Sequence, residues 1–277
     1  MSDDPTTTAL PTGPDQQPPP VALFGMLAGM WQARAIYTAA ELGVAEALAD
    51  RPRSLTELAE LTGSHPRSLY RLLRALAQIR IFEELPGQAF ANSDLSHYLR
   101  PDVPGTMYAM AMGCADWGWR NWGDLTTSIR TGASAFERVH GMPMWEYFKD
   151  HHQTAGRLFN DSMTGFSAAV DEPVATAADL DGVRSIVDVG GGHGRLLRTI
   201  LDAHPQIERA VLFDQSQVLK EARPLLAGAD DKGLLELVGG DFFTNVPAGA
   251  DVYLMKMILH DWTDEECVTI LRNSDAQ

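Results

Sequence analysis

The chain has 277 residues, of which 45% are hydrophobic and 21% charged, and its formal net charge at pH 7 is -15. This length suits one large domain or two modest ones, and the acidic balance argues against a surface for nucleic acid or anionic membranes. Two cysteines are too few for a disulfide framework or a cysteine-based zinc site, so we expect a cytoplasmic protein without a metal site, a secretory signal or a membrane span.

The N-terminal part begins with a tail, residues 1–20, whose Pro, Thr, Asp and Gln content predicts disorder. Residues 21–49 then show a helical pattern that Gly43 divides into two helices. The apolar surface of these helices is broader than one core requires, which favours a subunit interface over an ordinary buried helix, although both remain open. Its members are Leu23, Met26, Leu27, Met30, Ile36, Tyr37, Val44 and Leu48.

A winged helix-turn-helix pattern completes a first domain over residues 21–104. Ser54 is a candidate N-cap with Glu57 three residues later. The pattern predicts helices at residues 54–63 and 67–79 and a β-wing at residues 80–85 and 89–92. Such a domain also raises the hypothesis of a DNA-binding regulator with a ligand-sensing C-terminal part. The negative charge of the chain makes that hypothesis the less favoured one.

The middle region, residues 105–180, is expected to be mostly helical and is rich in tryptophan, phenylalanine and methionine. Any single one of these side chains is more often core than ligand contact. As a set they suit a deformable wall for a flat aromatic substrate. Phe159, Met163 and Phe166 have helical spacing and are the best candidates for substrate contacts.

The last region, residues 181–277, opens with a β-branched strand that ends in Asp188, followed by a glycine loop and a helix. Parallel α/β sheets present their backbone to a small charged ligand in this way. The loop glycines include Gly190, Gly192 and Gly194, whereas a dinucleotide fingerprint would need glycine where Arg195 stands.

Three further strand tips carry polar or aromatic side chains. Asp214 suits the two hydroxyls of a ribose, and Asp241 with Phe242 suits the amino group and ring of an adenine. Lys256 ends the fourth strand candidate, and His260 follows it. Each residue alone could be a turn or core residue, but together they indicate a nucleoside-like cofactor. The predicted strands are residues 186–189, 210–213, 234–238 and 252–256.

This region resembles the S-adenosylmethionine-dependent O-methyltransferases of the plant caffeate/flavonoid type, especially bacterial relatives that act on aromatic polyketides. The resemblance depends on residues 188–194, Asp214, residues 240–243 and residues 259–265, and it extends more loosely upstream to about residue 21. It implies an α/β protein with an N-terminal helical winged-helix dimerisation domain and a C-terminal Rossmann-like methyltransferase domain. A homodimer, S-adenosyl-L-methionine as cofactor and metal-independent transfer are implied as well.

The resemblance also implies roles for individual residues. His260 would be the general base that takes the proton of a phenol on a small aromatic, polyketide-like substrate. Bacterial relatives imply an arginine against the cofactor carboxylate, here Arg157. A relative that binds the cofactor but decarboxylates, hydroxylates or does no chemistry remains an alternative. The cofactor-binding candidates are Arg157, Asp188, Gly190, Gly192, Asp214, Asp241, Phe242 and Lys256.

The family resembled continues beyond the last element found here. The parallel sheet is therefore expected to be incomplete, with residues 252–255 as a long apolar edge strand. His260 is expected to lack the carboxylates that would orient it, and turnover by this chain alone is expected to be weak or absent.

Overall fold

The computed structural model describes residues 18–113, 116–168, 170–226 and 233–275. The chain divides into two compact units, Met1–His97 and Tyr98–Gln277, compared with the boundary at residue 104 expected from the sequence. Most of the tail predicted to be disordered lies outside the described residues, and the first helix already begins at Pro19.

The N-terminal unit combines helices with a small antiparallel sheet in the order β1-β3-β2. The predicted break at Gly43 is present, because this glycine adopts φ +68° between the first two helices. The predicted capping box is also present, with Glu57 N donating to Ser54 Oγ and the Ser54 backbone donating to the Glu57 carboxylate. The elements are α1 (Pro19–Glu41), α2 (Val44–Ala47), β1 (Arg53–Ser54), α3 (Leu55–Leu61), α4 (Pro66–Gln78), β2 (Phe82–Leu85), β3 (Ala89–Asn92) and α5 (Asp94–His97).

The apolar surface predicted on the first two helices divides into a buried and an exposed part. Tyr37, Val44 and Leu48 are buried, so they belong to the core of the unit rather than to an interface. The first part of α1 instead carries exposed large apolar side chains, a patch that we call the α1 patch: Val21, Leu23, Phe24, Met26, Leu27, Met30 and Trp31. An apolar patch of this size marks an interaction site in a soluble protein.

The C-terminal unit begins with helices, as predicted for the middle region, and then alternates strands with helices. Its helices are α6 (Tyr108–Gly113), α7 (Asp116–Gly123), α8 (Leu125–Thr131), α9 (Ala135–His140), α10 (Met144–Glu146), α11 (Gln153–Ala168), α12 (Asp171–Ala177), α13 (Arg195–Ala203), α14 (Ser216–Leu226) and α15 (Asp264–Asp275). A π-helix at Tyr147–His151 follows α10, and a short 3₁₀ turn at Leu259–Asp261 precedes α15.

In the described part of this unit, four parallel strands pair in the order β6-β5-β4-β7. Apolar clusters cover both faces of the sheet, one around Ile186 and Leu212 and the other around Val187 and Phe213. Burial on both faces explains why these strands are predominantly apolar and do not alternate between apolar and polar residues. The strands are β4 (Ser185–Val189), β5 (Arg209–Asp214), β6 (Leu235–Gly239) and β7 (Val252–Leu254).

The fourth strand corrects one expectation. It is an edge strand of the described sheet, as expected, and its side chains are apolar and half-buried, but only Val252–Leu254 pairs with β4, so the strand is shorter than expected. Beyond it the backbone turns away, with Met257 at φ +58°. Since the chain crosses from β6 at one edge to β7 on the other side of β4, the strand order reverses between β4 and β7. Open α/β sheets bind ligands at such a reversal, beside the carboxyl ends of the strands.

Candidate active site

A cavity of about 1260 Å³ lies at the carboxyl ends of the parallel strands. Its walls come from the glycine loop after β4, the tips of β5, β6 and β7, the segment around the 3₁₀ turn, and α10 and α11. Single small-molecule sites usually measure about 300–1,000 Å³. The cavity is therefore large enough for two ligands side by side.

The glycine loop brings bare backbone to one wall of this cavity. Gly190 and Gly192 have φ of +68° and +60°, a region that L side chains avoid. A Cβ on Gly190 would also overlap the Ile258 side chain, and one on Gly191 would overlap the Asp188 carboxylate. Gly190 and Gly191 thus let the loop pack tightly against its neighbours, whereas nothing lies within 4 Å of the Cβ position of Gly192, which leaves open space beside the loop.

Two carboxylates lie against the loop. Asp214 accepts hydrogen bonds from Gly192 N at 2.8 Å and from Gln215 N at 2.7 Å, and burial raises its pKa. Asp188 is 2% exposed, and its Oδ2 has no hydrogen-bond partner among the described residues. Burial, with the charge of Asp214 nearby, raises the pKa of Asp188 to about 7. Both predicted acids therefore lie in the cavity wall, one shaping the loop and one buried beneath it.

The tip of β6 forms the next part of the wall. Asp241 is exposed, and its Oδ1 accepts a hydrogen bond from Phe243 N at 2.9 Å. The Phe242 ring packs edge-to-face on Trp262, with ring centroids 5.7 Å apart. Asn273 Nδ2, on α15, donates to the carbonyl of Phe242 at 2.8 Å and fixes this loop. A carboxylate thus lies beside an apolar aromatic ring, as the sequence predicted.

Lys256 lines the cavity but is bound to protein groups. Its Nζ donates to Ser167 Oγ at 2.6 Å and to Asp171 Oδ1 at 2.8 Å. Asp171 is 1% exposed, and Arg195 Nε lies 3.2 Å from its other oxygen. Sequence reasoning missed Asp171 because nothing local distinguishes a helix-starting aspartate from a capping one. Its partners come from the segment just after β7 and the start of α13, which are distant from Asp171 in sequence.

His260 lies in the 3₁₀ turn that follows β7, on the cavity wall and half-exposed. Its Nε2 is 3.4 Å from Asp261 Oδ1, and burial raises the pKa of Asp261. Asp261 is the neighbouring residue in the motif, so the expectation that His260 lacks the orienting carboxylates of later elements stays a prediction. The Cys267 thiol on α15 donates to the carbonyl of Leu259 at 3.1 Å and holds the turn. The other cysteine, at position 114, lies outside the described residues.

Helix α11 forms the wall opposite the loop. Arg157, Phe159 and Met163 line the cavity, as predicted, and Arg157 donates to Thr154 Oγ1 at 3.2 Å. Phe166 does not line the cavity. Its side chain is 39% exposed, beside the face of α11 that forms the cavity wall. Helical spacing identified the right helix, but it could not define how wide the lining face is.

Two further lining residues are Trp145, which belongs to the aromatic set predicted for the middle region, and His193, which was not a candidate. Trp145 lines the cavity and packs edge-to-face on Phe159, with centroids 5.4 Å apart. His193, in the glycine loop, is buried, and its Nδ1 is 2.9 Å from Thr164 Oγ1. No local signal separates these from core residues, because their environment depends on α11 packing against other elements.

Comparison with known proteins decides the family. Residues 24–102 match the O-methyltransferase dimerisation domain, and residues 122–276 match the O-methyltransferase domain. The chain belongs to the O-methyltransferase family. These two matches confirm the division into a dimerisation domain and a methyltransferase domain, and the solved structures of similar proteins described next confirm the fold class.

Similar methyltransferases include proteins of antibiotic biosynthesis. The mitomycin biosynthesis 6-O-methyltransferase of Streptomyces lavendulae is 43% identical over 249 residues, which is 89% of this chain and 71% of that protein. The crystal structure of LaPhzM superposes with a TM-score of 0.87 at 36% identity, covering 93% of this chain and 77% of that one. CalO1, a methyltransferase in calicheamicin biosynthesis solved in the SAH-bound form, has a TM-score of 0.77 at 35% identity, with 93% and 76% covered.

S-adenosylmethionine is the cofactor of this methyltransferase, and the cavity fits that molecule. Open space lies beside Gly192 in the glycine loop, and Asp214 lines the cavity at the tip of β5. A carboxylate accepts from the two hydroxyls of a ribose. The apolar face of Phe242 beside Asp241 suits a purine that carries an amino group.

Two further observations concern membrane-spanning helices and metal-ligating side chains among the described residues. No helix among them combines the length and the apolar character that crossing a membrane would require. Among the same residues, no group of three or more histidine, cysteine, aspartate or glutamate side chains is arranged to hold a metal ion.

Proposed function

We propose that this methyltransferase transfers a methyl group from S-adenosylmethionine to a phenolic hydroxyl of a small aromatic, polyketide-like compound, with His260 as general base. One observation carries the proposal. The same cavity is lined by the ribose-binding candidate Asp214, by the imidazole of His260 and by the apolar side chains of α11. A nucleoside, a proton acceptor and a flat aromatic ring would thus meet in one site.

The cofactor would be held by residues from two strand tips and one helix. Asp214 would accept hydrogen bonds from the ribose hydroxyls, and Asp241 with Phe242 would hold the adenine. The Arg157 guanidinium, which lines the same cavity, would bind the carboxylate of the amino-acid part. When bound, S-adenosylmethionine supplies an electrophilic methyl group.

The protein has to remove the proton from the hydroxyl of the acceptor. A phenol, with a pKa of about 10, is a poor nucleophile near neutral pH until a base removes its proton. His260 would take this proton at Nδ1, because its Nε2 faces the Asp261 carboxylate and because imidazole is the usual general base in this pH range. The Asp261 carboxylate at 3.4 Å would stabilise the imidazolium that forms. The protein would also hold the phenolate oxygen in line with the methyl group, which lowers the entropic part of the barrier.

Two observations support an aromatic acceptor: the apolar residues of the cavity wall and the substrates in the names of similar proteins. Trp145, Phe159 and Met163 form an apolar, deformable wall that suits a planar ring system. Relatives at 37–38% identity include a phenazine O-methyltransferase and a 3-amino-4-hydroxybenzoate 4-O-methyltransferase. A relative at 33% identity is an N,N-dimethyltransferase of 8-amino-8-demethylriboflavin, so an aromatic amine is a second acceptor type to test.

A product assay tests the proposal. The protein is incubated with S-adenosylmethionine and a panel of hydroxyphenazines, hydroxyquinones, 3-amino-4-hydroxybenzoate and matched aromatic amines, and products are identified by mass spectrometry. We expect weak methylation of at least one phenol, in keeping with the low turnover expected of this chain alone, and a much smaller signal with His260→Ala. Methylation of amines alone, or a rate unaffected by His260→Ala, would contradict the proposal.

We also propose that the protein is a homodimer built through the N-terminal unit. The match to the dimerisation domain supports this assembly, and so do the seven exposed apolar residues of the α1 patch. Burying such a patch against a second copy removes apolar area from water at about 25 cal/mol per Å².

A further inference from the structure

His193 makes a contact that its position in the glycine loop does not require. The side chain is 5% exposed, and its Nδ1 lies 2.9 Å from Thr164 Oγ1 on α11. The single hydroxyl proton of Thr164 goes to the carbonyl of Asn160, at 2.9 Å. In the tautomer with a proton on Nδ1, His193 donates in this pair and the Thr164 oxygen accepts.

A second set of contacts extends the same link to α14. His193 Nε2 lies 3.7 Å from Glu221 Oε2, and Asn160 Nδ2 donates to that oxygen at 3.2 Å. Asn160 and Thr164 are one turn apart on α11, so one helix face contacts both the loop and α14. Nε2 has no hydrogen-bond partner among the described residues. An unpaired buried polar atom is unfavourable for folding, so stability alone does not explain a histidine here.

The two elements that His193 joins serve different ligands of the proposed reaction. The glycine loop, with Gly190 and Gly192, forms the cofactor side of the cavity. Helix α11, with Phe159 and Met163, forms the acceptor side. Order gained by one wall on binding its ligand can pass to the other through a direct contact, and this is one physical form of coupling between two sites.

We propose that His193 is a positioning residue that fastens α11 to the cofactor loop, so that cofactor binding orders the acceptor wall before the acceptor arrives. This inference rests on the proposed function, because it requires that the loop binds the cofactor. The proposal assigns His193 no contact with the reacting atoms. Its effect passes through Thr164.

Hydrogen–deuterium exchange with S-adenosylhomocysteine as the only ligand tests the link without catalysis. In the unaltered protein, we expect saturating ligand to slow exchange both in the glycine loop and in α11 around residues 160–167, the latter by about fivefold. Thr164→Val keeps the shape of the side chain but removes the hydroxyl. We expect it to keep the protection of the loop and to lose most of the ligand-induced protection of α11.

Two further variants separate the link from general destabilisation. Thr164→Ser restores a hydroxyl and should recover the protection of α11. His204→Gln is the matched control, because His204 Nε2 also joins two helices, through the carbonyl of Ala175 at 2.8 Å, but does not line the cavity. It should leave the response of α11 unchanged. Exchange without ligand shows in each variant whether α11 itself has become less stable.

The outcomes distinguish this inference from the proposed function. If S-adenosylhomocysteine gives no binding heat and protects no part of the unaltered protein, the proposed function fails and the inference fails with it. If the ligand binds and protects the loop but not α11, or if Thr164→Val responds like the unaltered protein, the inference alone is overturned. Loss of the response in His204→Gln would equally overturn it, since the effect would not depend on the His193 contact.

Discussion

His260 and Asp261 are consecutive residues whose side chains face each other, with Nε2 of the imidazole 3.4 Å from Oδ1 of the carboxylate. The pair lies in a short turn between β7 and α15, and the Cys267 thiol holds that turn through the carbonyl of Leu259. A base and its carboxylate partner are thus present on one segment of the cavity wall.

Removal of the base should reduce turnover without removing the cofactor. We expect His260→Ala to lower kcat by about 10²- to 10⁴-fold, the usual contribution of general base catalysis. Asp261→Asn should have a smaller effect, because it removes the stabilising charge but leaves the imidazole. Steady-state rates combined with calorimetry of S-adenosylhomocysteine binding measure both quantities. An unchanged kcat in His260→Ala would remove this residue from the mechanism.

The buried acid below the loop should make stability depend on pH. Folding raises the pKa of Asp188 from 3.8 to about 7, so between these values the folded state holds a proton that the unfolded state has released. Stability therefore falls as pH rises from about 4 to about 7. At about 1.36 kcal/mol per pKa unit, the contribution is at most about 4 kcal/mol.

Asp188→Asn cannot ionise and should lack this dependence. Urea denaturation at several pH values is the measurement. The free energy of unfolding of Asp188→Asn, minus that of the unaltered protein, should increase up to about pH 7 and stay constant above it. A difference that does not change with pH would show that Asp188 is not responsible.

The glycine loop should tolerate no side chain. Gly190→Ala should lose cofactor binding, because it combines an unfavourable φ, worth roughly 1–2 kcal/mol, with overlap against Ile258. Gly249→Ala is the matched control, since Gly249 also has a positive φ, +74°, but nothing lies within 4 Å of its Cβ position. It should cost stability alone. Equal loss of binding in both variants would contradict a specific role of the glycine loop in cofactor binding.

Asp214 should contribute a large share of cofactor affinity. A hydrogen bond to a charged group is worth about 1.5–3 kcal/mol, so Asp214→Asn should weaken S-adenosylhomocysteine binding by about 10- to 100-fold. Part of the loss would come from the Gly192 amide, which donates to the same carboxylate at 2.8 Å. Calorimetry measures the effect, and an affinity within threefold of the unaltered protein would exclude this role.

The α1 patch should hold the dimer together. Met26→Glu with Met30→Glu introduces two charges one turn apart on exposed apolar positions, which should convert the dimer to monomer. Leu225→Glu is the control, because Leu225 is similarly exposed but lies on α14 in the other unit. Analytical ultracentrifugation distinguishes the species. A double variant that remains dimeric would locate the interface elsewhere.

The sequence predicted local features well where a short-range rule controls them. The Ser54 cap depends on a hydrogen-bonding side chain, and the break at Gly43 depends on a positive φ. The parallel strands depend on short apolar runs. Each of these signals is visible in a few residues. The candidate residues at strand tips lie in one cavity because parallel strands bring their carboxyl ends to one edge.

The rest depends on packing over long distances in the chain. Burial of Asp171 against Lys256 and the contact of His193 with Thr164 join elements that are far apart in sequence. Which side of α11 faces the cavity, and hence the exclusion of Phe166, follows from the same packing. The sequence pattern also overestimated β7, since apolar residues continue after the backbone has left the sheet at Met257.

The most direct test of the central claim, that this cavity binds the cofactor beside His260, is calorimetric titration of the folded protein with S-adenosylhomocysteine. We expect one binding site per chain, and strongly reduced binding in Asp214→Asn and Gly190→Ala. Absence of binding heat at several temperatures in a sample shown to be folded by circular dichroism would contradict it.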